Sequence, residues 1–226
     1  MRHAALRALL LLAALACPAY AARPQDESGE MRRLSRWTER PGPVRNEELR
    51  REIFEMHKED QAVRAFALEG RAPTEAEDRA MKGRDEATTK RLSEILDRYG
   101  FPGVKTVGLN ATRNFIFMVL HSPSVELQRR ALPHVERAAR RKEIPPDDFA
   151  MLADDVLANE GKPQLYGTNF RSVGDKNVIL PTQDPARLDA RRRQIGLPPI
   201  RVYAAWLREM FKVTIDESSL PPAPRE

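Results

Sequence analysis

The chain has 226 residues and a net charge of +5 at pH 7, from 38 basic and 33 acidic residues. Both signs are almost equally frequent, which excludes the dense basic footprint of a nucleic-acid-binding protein. A single cysteine excludes a disulfide framework and a cysteine-based metal site. The length is sufficient for one domain with one hydrophobic core.

The first residues are typical of a secretory signal peptide. Two arginines precede an unbroken apolar run, Ala8 to Cys17, and Ala19-Tyr20-Ala21 is a small-x-small cleavage site. A membrane span needs roughly 20 apolar residues, and this run is shorter. We therefore expect residues 1–21 to be cleaved and the protein to be exported, either periplasmic or secreted, with no membrane span.

A lipid anchor on Cys17 is the alternative, since the residues before it loosely resemble a lipoprotein cleavage site. Composition divides the rest of the chain into three parts. Residues 22–45 and 214–226 have little periodic apolar content, which predicts a disordered lead-in and a disordered tail. Residues 46–213 form the predicted folded domain.

The fold is predicted to be mainly α, a single helical domain of about six to seven helices with a small β-hairpin. The first helix covers Asn46 to Glu69, residues 67–82 form a polar excursion, and the second helix covers Asp85 to Tyr99. Phe115 to Leu120 is apolar all round, which predicts a buried helix capped by Asn110, with a buried strand as the alternative.

Four more helices follow in the second half of the chain. They are expected from Ser122 to about Lys142, from Pro146 to Gly161, from Asp184 to Gly196 and from Pro199 onward. Between the second and third of these, residues 164–181 lose helical periodicity. They are predicted to form a hairpin that turns at Gly174-Asp175.

Several polar residues fall where helical periodicity calls for an apolar one. Asp60 interrupts the apolar stripe of the first helix, Gln128 extends the stripe of a later one, and Glu160 lies four residues beyond Val156. His121 ends the most apolar segment. A buried polar group without a partner costs about 1–3 kcal/mol, so these residues must be paired, hydrated or functional.

These side chains would give acid–base chemistry if the fold brought them together. An acid orients a neutral imidazole, the imidazole acts as the base, and amide or hydroxyl groups hold an oxygen. The hairpin region adds polar side chains that could hold such an oxygen, namely Gln164, Tyr166, Thr168 and Asn169. The structural alternative is that Asp60 pairs with Arg64, His121 caps a carbonyl and Gln128 bridges helices.

Known catalytic signatures are missing. The sequence has no GxSxG elbow, no HExxH, no phosphate-binding loop and no dinucleotide fingerprint. No ligand pair has diagnostic metal spacing, although a site from His57, Asp60 and His121 is conceivable. We therefore predict neither a metal nor a cofactor.

Five segments occur in an order that resembles a bacterial family catalogued as domain of unknown function 6624. They are EDQAVR (59–64), LDRYGFPG (96–103), the apolar run ending in His121, NEGKPQLYGTNF (159–170) and DPARLDARRRQIGLPPI (184–200). The resemblance implies no activity. It implies a shared residue pattern: Asp60, Gln61, Arg64, His121, Gln128, Gln164, Tyr166, Gly167 and Thr168.

Three hypotheses follow for function. The first is an exported helical domain that binds a small ligand, peptide or partner protein in a polar cleft beside the QLYGTN segment. Its predicted ligand-binding residues are Gln61, Arg64, Gln128, Gln164, Tyr166, Thr168 and Asn169. The second is a hydrolase that uses His121 with Asp60 or Glu160. The third is a structural periplasmic protein without a ligand.

Overall fold

A computed structural model describes residues 37, 39, 42–67 and 71–221. The predicted signal peptide, with Cys17 inside it, lies outside the described residues. The described residues fall into two compact units. The first unit extends from Trp37 to Leu152, and the second begins at Ala153.

The fold is mainly α with a small β-hairpin, as predicted. The described residues form eight α-helices and one two-stranded sheet. The helices are α1 Glu47–Ala62, α2 Glu75–Tyr99, α3 Val104–Val107, α4 Leu109–His121, α5 Val125–Arg140, α6 Pro146–Asn159, α7 Leu188–Gln194 and α8 Ile200–Phe211. The strands are β1 Phe170–Val173 and β2 Lys176–Ile179.

Helix α4 lies at the centre of the first unit. It packs against α1, α2, α3 and α5, and every residue from Phe115 to Leu120 is buried. The helical prediction for this run is confirmed and the strand alternative is wrong. The cap was misplaced, because the helix begins after Gly108, whose φ is +86°, and Asn110 lies inside it. The apolar run therefore contacts helices on all sides.

The predicted polar excursion at 67–82 is wrong in its second half, because α2 already begins at Glu75. The Thr74 hydroxyl accepts a hydrogen bond from the Glu77 amide, and the Glu77 carboxylate accepts one from the Thr74 amide. This capping box satisfies two amides at the helix start and stabilises a helix whose first turns are polar. Weak apolar periodicity concealed those turns.

Part of the predicted disordered lead-in is ordered. The Glu39 carboxylate lies 3.3 Å from the Arg50 guanidinium of α1. The Arg45 amide donates a hydrogen bond to the Lys105 carbonyl of α3 at 3.3 Å. These residues therefore contact the first unit, although their composition predicted no structure.

The second unit contains the predicted hairpin. Strands β1 and β2 pair antiparallel and turn at Gly174-Asp175, which confirms the predicted turn. Residues 164–169 lie in a loop that joins α6 to β1. The hairpin packs with α7 and α8 around one apolar cluster. Its buried members are Phe170, Ile179, Leu188, Ile200, Ala204, Leu207, Ile215 and Leu220.

The prediction of a disordered tail from residue 214 is wrong for the part that the structure describes. Ile215 and Leu220 are 4% and 6% exposed. The Asn177 amide of β2 donates to the Thr214 carbonyl at 2.7 Å, and the Asp216 amide donates to the Asn177 carbonyl at 2.9 Å. The segment therefore covers the outer edge of β2. Two apolar residues five positions apart were too few to indicate this.

Candidate functional site

The Asp60 carboxylate is the centre of a buried polar cluster in the first unit. It is fully buried, and its Oδ2 lies 2.8 Å from His121 Nδ1. Arg64 donates to Oδ1 at 2.8 Å, and the Gln61 amide donates to Oδ2 at 2.9 Å. One carboxylate therefore contacts an imidazole, a guanidinium and an amide.

Helix packing explains why these groups meet. Asp60 lies in the last turn of α1, and Arg64 follows four residues later in the turn after the helix, where its guanidinium reaches the Asp60 carboxylate. His121 is the last residue of α4, and α4 packs against α1. The side chain of His121 is only 3% exposed. The two helices thus bring together residues that are distant in the sequence.

Arg64 connects this pair to a second acid. Its guanidinium donates to the Asp60 backbone carbonyl at 2.9 Å and also contacts the Asp85 carboxylate of α2. Arg64 is 2% exposed, so its charge is offset by carboxylates rather than by water. Both carboxylates contact the same cation.

The two acids have opposite pKa shifts. Burial raises the pKa of Asp60, but the neighbouring His121 and Arg64 outweigh burial and bring it below its ordinary value of 3.8. For Asp85 burial prevails over the attraction of Arg64, so its pKa is raised above that value. Asp60 is therefore ionised at neutral pH and acts as the hydrogen-bond acceptor for His121.

Three buried nitrogens of this cluster have no hydrogen-bond partner: His121 Nε2, His57 Nε2 and Arg64 Nε. Because the ionised Asp60 only accepts, the His121 ring donates through Nδ1–H, an assignment that rests on this contact. In the neutral form of the ring, Nε2 then carries a free lone pair. An imidazole oriented by a carboxylate and free at its other nitrogen is able to accept a proton.

Gln128 supports the end of α4 that carries His121. Its amide lies 3.4 Å from the Val119 and Leu120 carbonyls and 3.3 Å from the Ser122 carbonyl. These carbonyls belong to the last turn of α4 and to the residue after it. The amide was predicted to bind a ligand, and within the first unit it contacts the backbone on both sides of His121.

The QLYGTN loop, residues 164–169, belongs to the second unit and is held by Asp154 of α6. The Asp154 carboxylate accepts hydrogen bonds from the Leu165 amide at 2.7 Å and the Tyr166 amide at 2.9 Å. It also accepts from the amide and the hydroxyl of Thr168, each at 2.9 Å. Asp154 is fully buried, and burial raises its pKa against the opposing effect of these donors.

Gln164 closes the same loop from the other side. Its amide nitrogen donates to the Asn169 carbonyl at 3.0 Å and the Leu180 carbonyl at 2.9 Å, while its amide oxygen accepts from the Asn169 amide at 2.9 Å. The polar groups of Gln164 and Thr168 are thus used inside the loop. Asn169 Nδ2 is buried without a partner, and Tyr166 is half-buried.

The loop also depends on a close approach at Gly167. Its φ is +71°, and a Cβ there would lie 3.1 Å from Ile179, 3.2 Å from Ile200 and 3.3 Å from Leu188. The buried Arg192 of α7 donates to the carbonyls of Tyr166 and Pro198. Within the second unit, the QLYGTN loop is therefore a tightly bonded corner.

Glu160, the second candidate acid, lies at the end of α6 in the second unit. Its carboxylate is 2.6 Å from the Lys162 ammonium group. The carboxylate that contacts His121 is that of Asp60. Of the two acids proposed as partners of His121, the geometry thus supports Asp60.

Two acids with central positions were missed from the sequence. Asp85 lies seven residues before the buried Leu92 of α2, and Asp154 lies four residues after the buried Ala150 of α6. Both positions therefore continue an apolar stripe. The test that found Asp60 would have found them too, had it been applied along the whole of each helix.

No group of three or more His, Cys, Asp or Glu side chains in the described parts of the chain is arranged to hold a metal ion. In the metal site that was conceivable from His57, Asp60 and His121, the Asp60 carboxylate already contacts His121 Nδ1. Among the described helices, none is both long and apolar enough to cross a membrane.

The chain belongs to a family described as "Family of unknown function (DUF6624)", whose model matches residues 47–216. This match confirms the resemblance found in the motifs and covers both compact units. No curated protein and no solved structure matches the chain significantly. The family identity therefore supplies no reaction, and a functional inference depends on the geometry of the site.

Proposed function

We propose that this protein is an acid–base enzyme of the hydrolase class, in which His121 transfers the proton and Asp60 orients and stabilises its imidazole. The observation that supports this function is the unpartnered, buried Nε2 of a ring whose Nδ1 contacts a carboxylate at 2.8 Å. A purely structural role predicts a fully paired histidine. The free Nε2 argues against that reading.

In the proposed reaction, His121 Nε2 takes a proton from a water molecule as its oxygen attacks the substrate. The bond to the leaving group breaks, its electron pair stays on the leaving atom, and that atom receives the proton back from the His121 imidazolium. Asp60 stabilises the positive imidazolium that forms in between. The substrate class would be esters or amides, which such a base is suited to hydrolyse.

A substrate panel tests this function. Wild type would be assayed with chromogenic esters, amides and phosphoesters, beside His121→Asn. The asparagine amide nitrogen replaces Nδ1 and keeps a donor for Asp60, while Nε2 is deleted. We expect a loss of about 10²-fold or more in kcat/KM for a substrate that wild type turns over.

His134→Asn is the matched control, because His134 lies on α5 and stacks on Phe101 at a ring distance of 5.7 Å. This variant should retain activity. The proposal is wrong if wild type hydrolyses none of the three classes, or if His121→Asn is as active as His134→Asn. Thermal melts of all variants establish that the comparison is between folded proteins.

A second candidate is ligand binding without turnover, which the unpartnered nitrogens His57 Nε2, His121 Nε2 and Asn169 Nδ2 favour. A bound hydroxyl or amine could satisfy the ring nitrogens. The predicted cleft beside the QLYGTN loop stays a prediction, and two of its expected ligand groups, Gln164 and Thr168, are used within the loop. Saturable binding of a panel compound without product formation would favour this candidate.

We further propose that the protein acts outside the cytoplasm, in the periplasm or as a secreted protein. Residues 1–21 support this through their arginines, apolar run and small-x-small site. Mass spectrometry of the exported chain is the test. A mature N-terminus at Ala22 is expected, whereas a lipid-modified Cys17 would identify the anchored alternative.

A further inference from the structure

Asp85 of α2 holds the acid side of the Asp60–His121 contact. Its carboxylate contacts the Arg64 guanidinium, and that guanidinium donates to the Asp60 carbonyl at 2.9 Å and to the Asp60 carboxylate at 2.8 Å. Two bonds from one guanidinium fix the Asp60 side chain relative to its own backbone. Arg64 is 2% exposed, so water hardly competes for these bonds. Asp85 therefore restricts the rotation of Asp60 through Arg64.

Thr89, one turn after Asp85 on the same helix, holds the imidazole side. Its hydroxyl lies 2.6 Å from the Asp85 carbonyl and 2.7 Å from the hydroxyl of Ser122, the residue that follows His121. Because a carbonyl only accepts, the single Thr89 proton goes to Asp85 and the Ser122 hydroxyl donates to Thr89, an assignment that rests on these two contacts. The Ser122 oxygen also accepts a hydrogen bond from the Ser124 amide at 3.1 Å.

Ser122 closes the helix that carries the imidazole. His121 is the last residue of α4, and a helix end frays unless its terminal groups are held. The Ser122 amide donates to the Met118 carbonyl at 3.1 Å and the Val119 carbonyl at 3.2 Å. The bond between Ser122 and Thr89 joins this closing residue to α2. One turn of α2 therefore holds both partners of the Asp60–His121 contact.

We propose that Asp85 and Thr89 are positioning residues of the acid–base site, which keep the Asp60 carboxylate and the His121 imidazole at hydrogen-bond distance. Their effect on catalysis rests on the proposed function, whereas the geometry that they maintain is a property of the protein alone. A misplacement of about 1 Å can cost roughly 10²-fold in rate. Loss of either residue should therefore lower kcat and leave KM nearly unchanged.

Thr89→Val is the first test, because valine keeps the size of threonine and lacks the hydroxyl. The readout that needs no substrate is the pair of ¹⁵N resonances of the His121 ring, which distinguish a protonated from a bare nitrogen and are assigned by their absence in His121→Asn. At a pH above the titration of the ring, wild type should carry its proton on Nδ1. In Thr89→Val we expect a mixture of the two tautomers, because the contact with Asp60 that selects Nδ1–H is loosened.

Thr89→Ser keeps the hydroxyl and should restore the wild-type resonances. Thr88→Val is the matched control, since it makes the same replacement one residue earlier on α2, and the contact with Ser122 belongs to Thr89. With a substrate that wild type turns over, Thr89→Val should lose about tenfold in kcat, the rate equivalent of one hydrogen bond. Thr88→Val and Thr89→Ser should stay close to wild type.

Asp85→Ala and Asp85→Asn test the acid side independently, because asparagine keeps an acceptor for Arg64 and alanine does not. Asp85→Ala should mix the tautomers of His121 more than Asp85→Asn does. Wild-type ring resonances in both Asp85→Ala and Thr89→Val would overturn the proposal, and if one of these variants fails to fold, the other decides.

The two proposals can fail separately. Mixed tautomers in Thr89→Val or Asp85→Ala, together with a wild type that hydrolyses no panel substrate, would retain the positioning of the imidazole and reject the proposed function. Mixed tautomers with an undiminished kcat would reject the catalytic effect of Asp85 and Thr89 and leave the hydrolase assignment in place.

Discussion

Asp60 contacts His121, Arg64 and Gln61 at once and has no exposed area. Asp60→Asn would remove the charge that offsets the buried guanidinium of Arg64. We expect the free energy of unfolding at pH 7 to fall by about 3 kcal/mol, as for other broken buried ion pairs. Urea unfolding measures this loss, with Asp175→Asn at the exposed hairpin turn as the control.

Asp60→Asn should also change how the free energy of unfolding depends on pH. The pKa of Asp60 in the folded protein is below 3.8, so its contribution to stability is complete above that pH and is lost as the pH falls through the folded pKa. Asp60→Asn lacks this contribution. The stability gap between wild type and variant should therefore narrow below about pH 4. A gap that is constant down to acid unfolding would contradict the assignment.

Asp154 is the corresponding acid of the second unit. Asp154→Ala leaves the amides of Leu165, Tyr166 and Thr168 without their acceptor. Each buried donor without a partner costs about 1–3 kcal/mol, so we expect a loss of at least about 2 kcal/mol. Asp154→Asn keeps one acceptor oxygen and should lose less. Equal stability of Asp154→Ala and wild type would show that water satisfies these amides.

At the level of elements, the QLYGTN loop is fitted to the helices and strand beside it. A methyl group at Gly167 would lie within 3.3 Å of three buried side chains, and the backbone has a φ of +71°. Gly167→Ala should therefore reduce the stability of the second unit by about 2 kcal/mol. Hydrogen exchange at the amides of residues 165–169 would locate the effect.

Gly83 provides the contrasting substitution. It is exposed inside α2, and a methyl group placed on its Cα would have no neighbouring atom within 4 Å. Gly83→Ala should raise stability by up to about 1 kcal/mol, because alanine favours the helix. Opposite signs at the two glycines would show that packing and backbone conformation, and not glycine replacement as such, cause the loss at Gly167.

At the level of the whole molecule, the segment after α8 completes the core of the second unit. A chain that ends at Val213 would lose the buried Ile215 and Leu220 and the hydrogen bonds to β2. We expect this truncation to cost about 4 kcal/mol, the scale for two truncated core residues. A chain that ends at Pro221 keeps both buried residues and these hydrogen bonds, and it is the control.

The measurement is the fluorescence of Trp206, which packs against the apolar cluster, in a Trp37→Phe background. The chain has two tryptophans, so this background reports on the second unit alone. If the chain ending at Val213 unfolds at the same urea concentration as the one ending at Pro221, the segment does not stabilise the unit. The prediction from composition, that this segment does not contribute to the stability of the folded domain, would then be correct.

Much of the fold followed from local patterns. The apolar run at 115–120, the turn at Gly174-Asp175 and the start of α6 at Pro146 were all visible, because each depends on neighbours a few residues away. The start of α2 was missed, since its capping box stabilises a polar stretch without apolar periodicity. The ordered segment at 214–221 was missed because its partners lie in β2.

The candidate site also combines features that local patterns predict with features that only tertiary contacts decide. Asp60, His121 and Gln128 were recognised as misplaced polar residues, because helical periodicity is a property of the chain sequence. The contact between Asp60 and His121 joins residues 61 positions apart, and that of Arg64 with Asp85 joins the turn after α1 to α2. Sequence patterns marked which polar groups need partners. The packing of the helices determined which groups became those partners, because hydrogen bonds depend on distances in the folded protein.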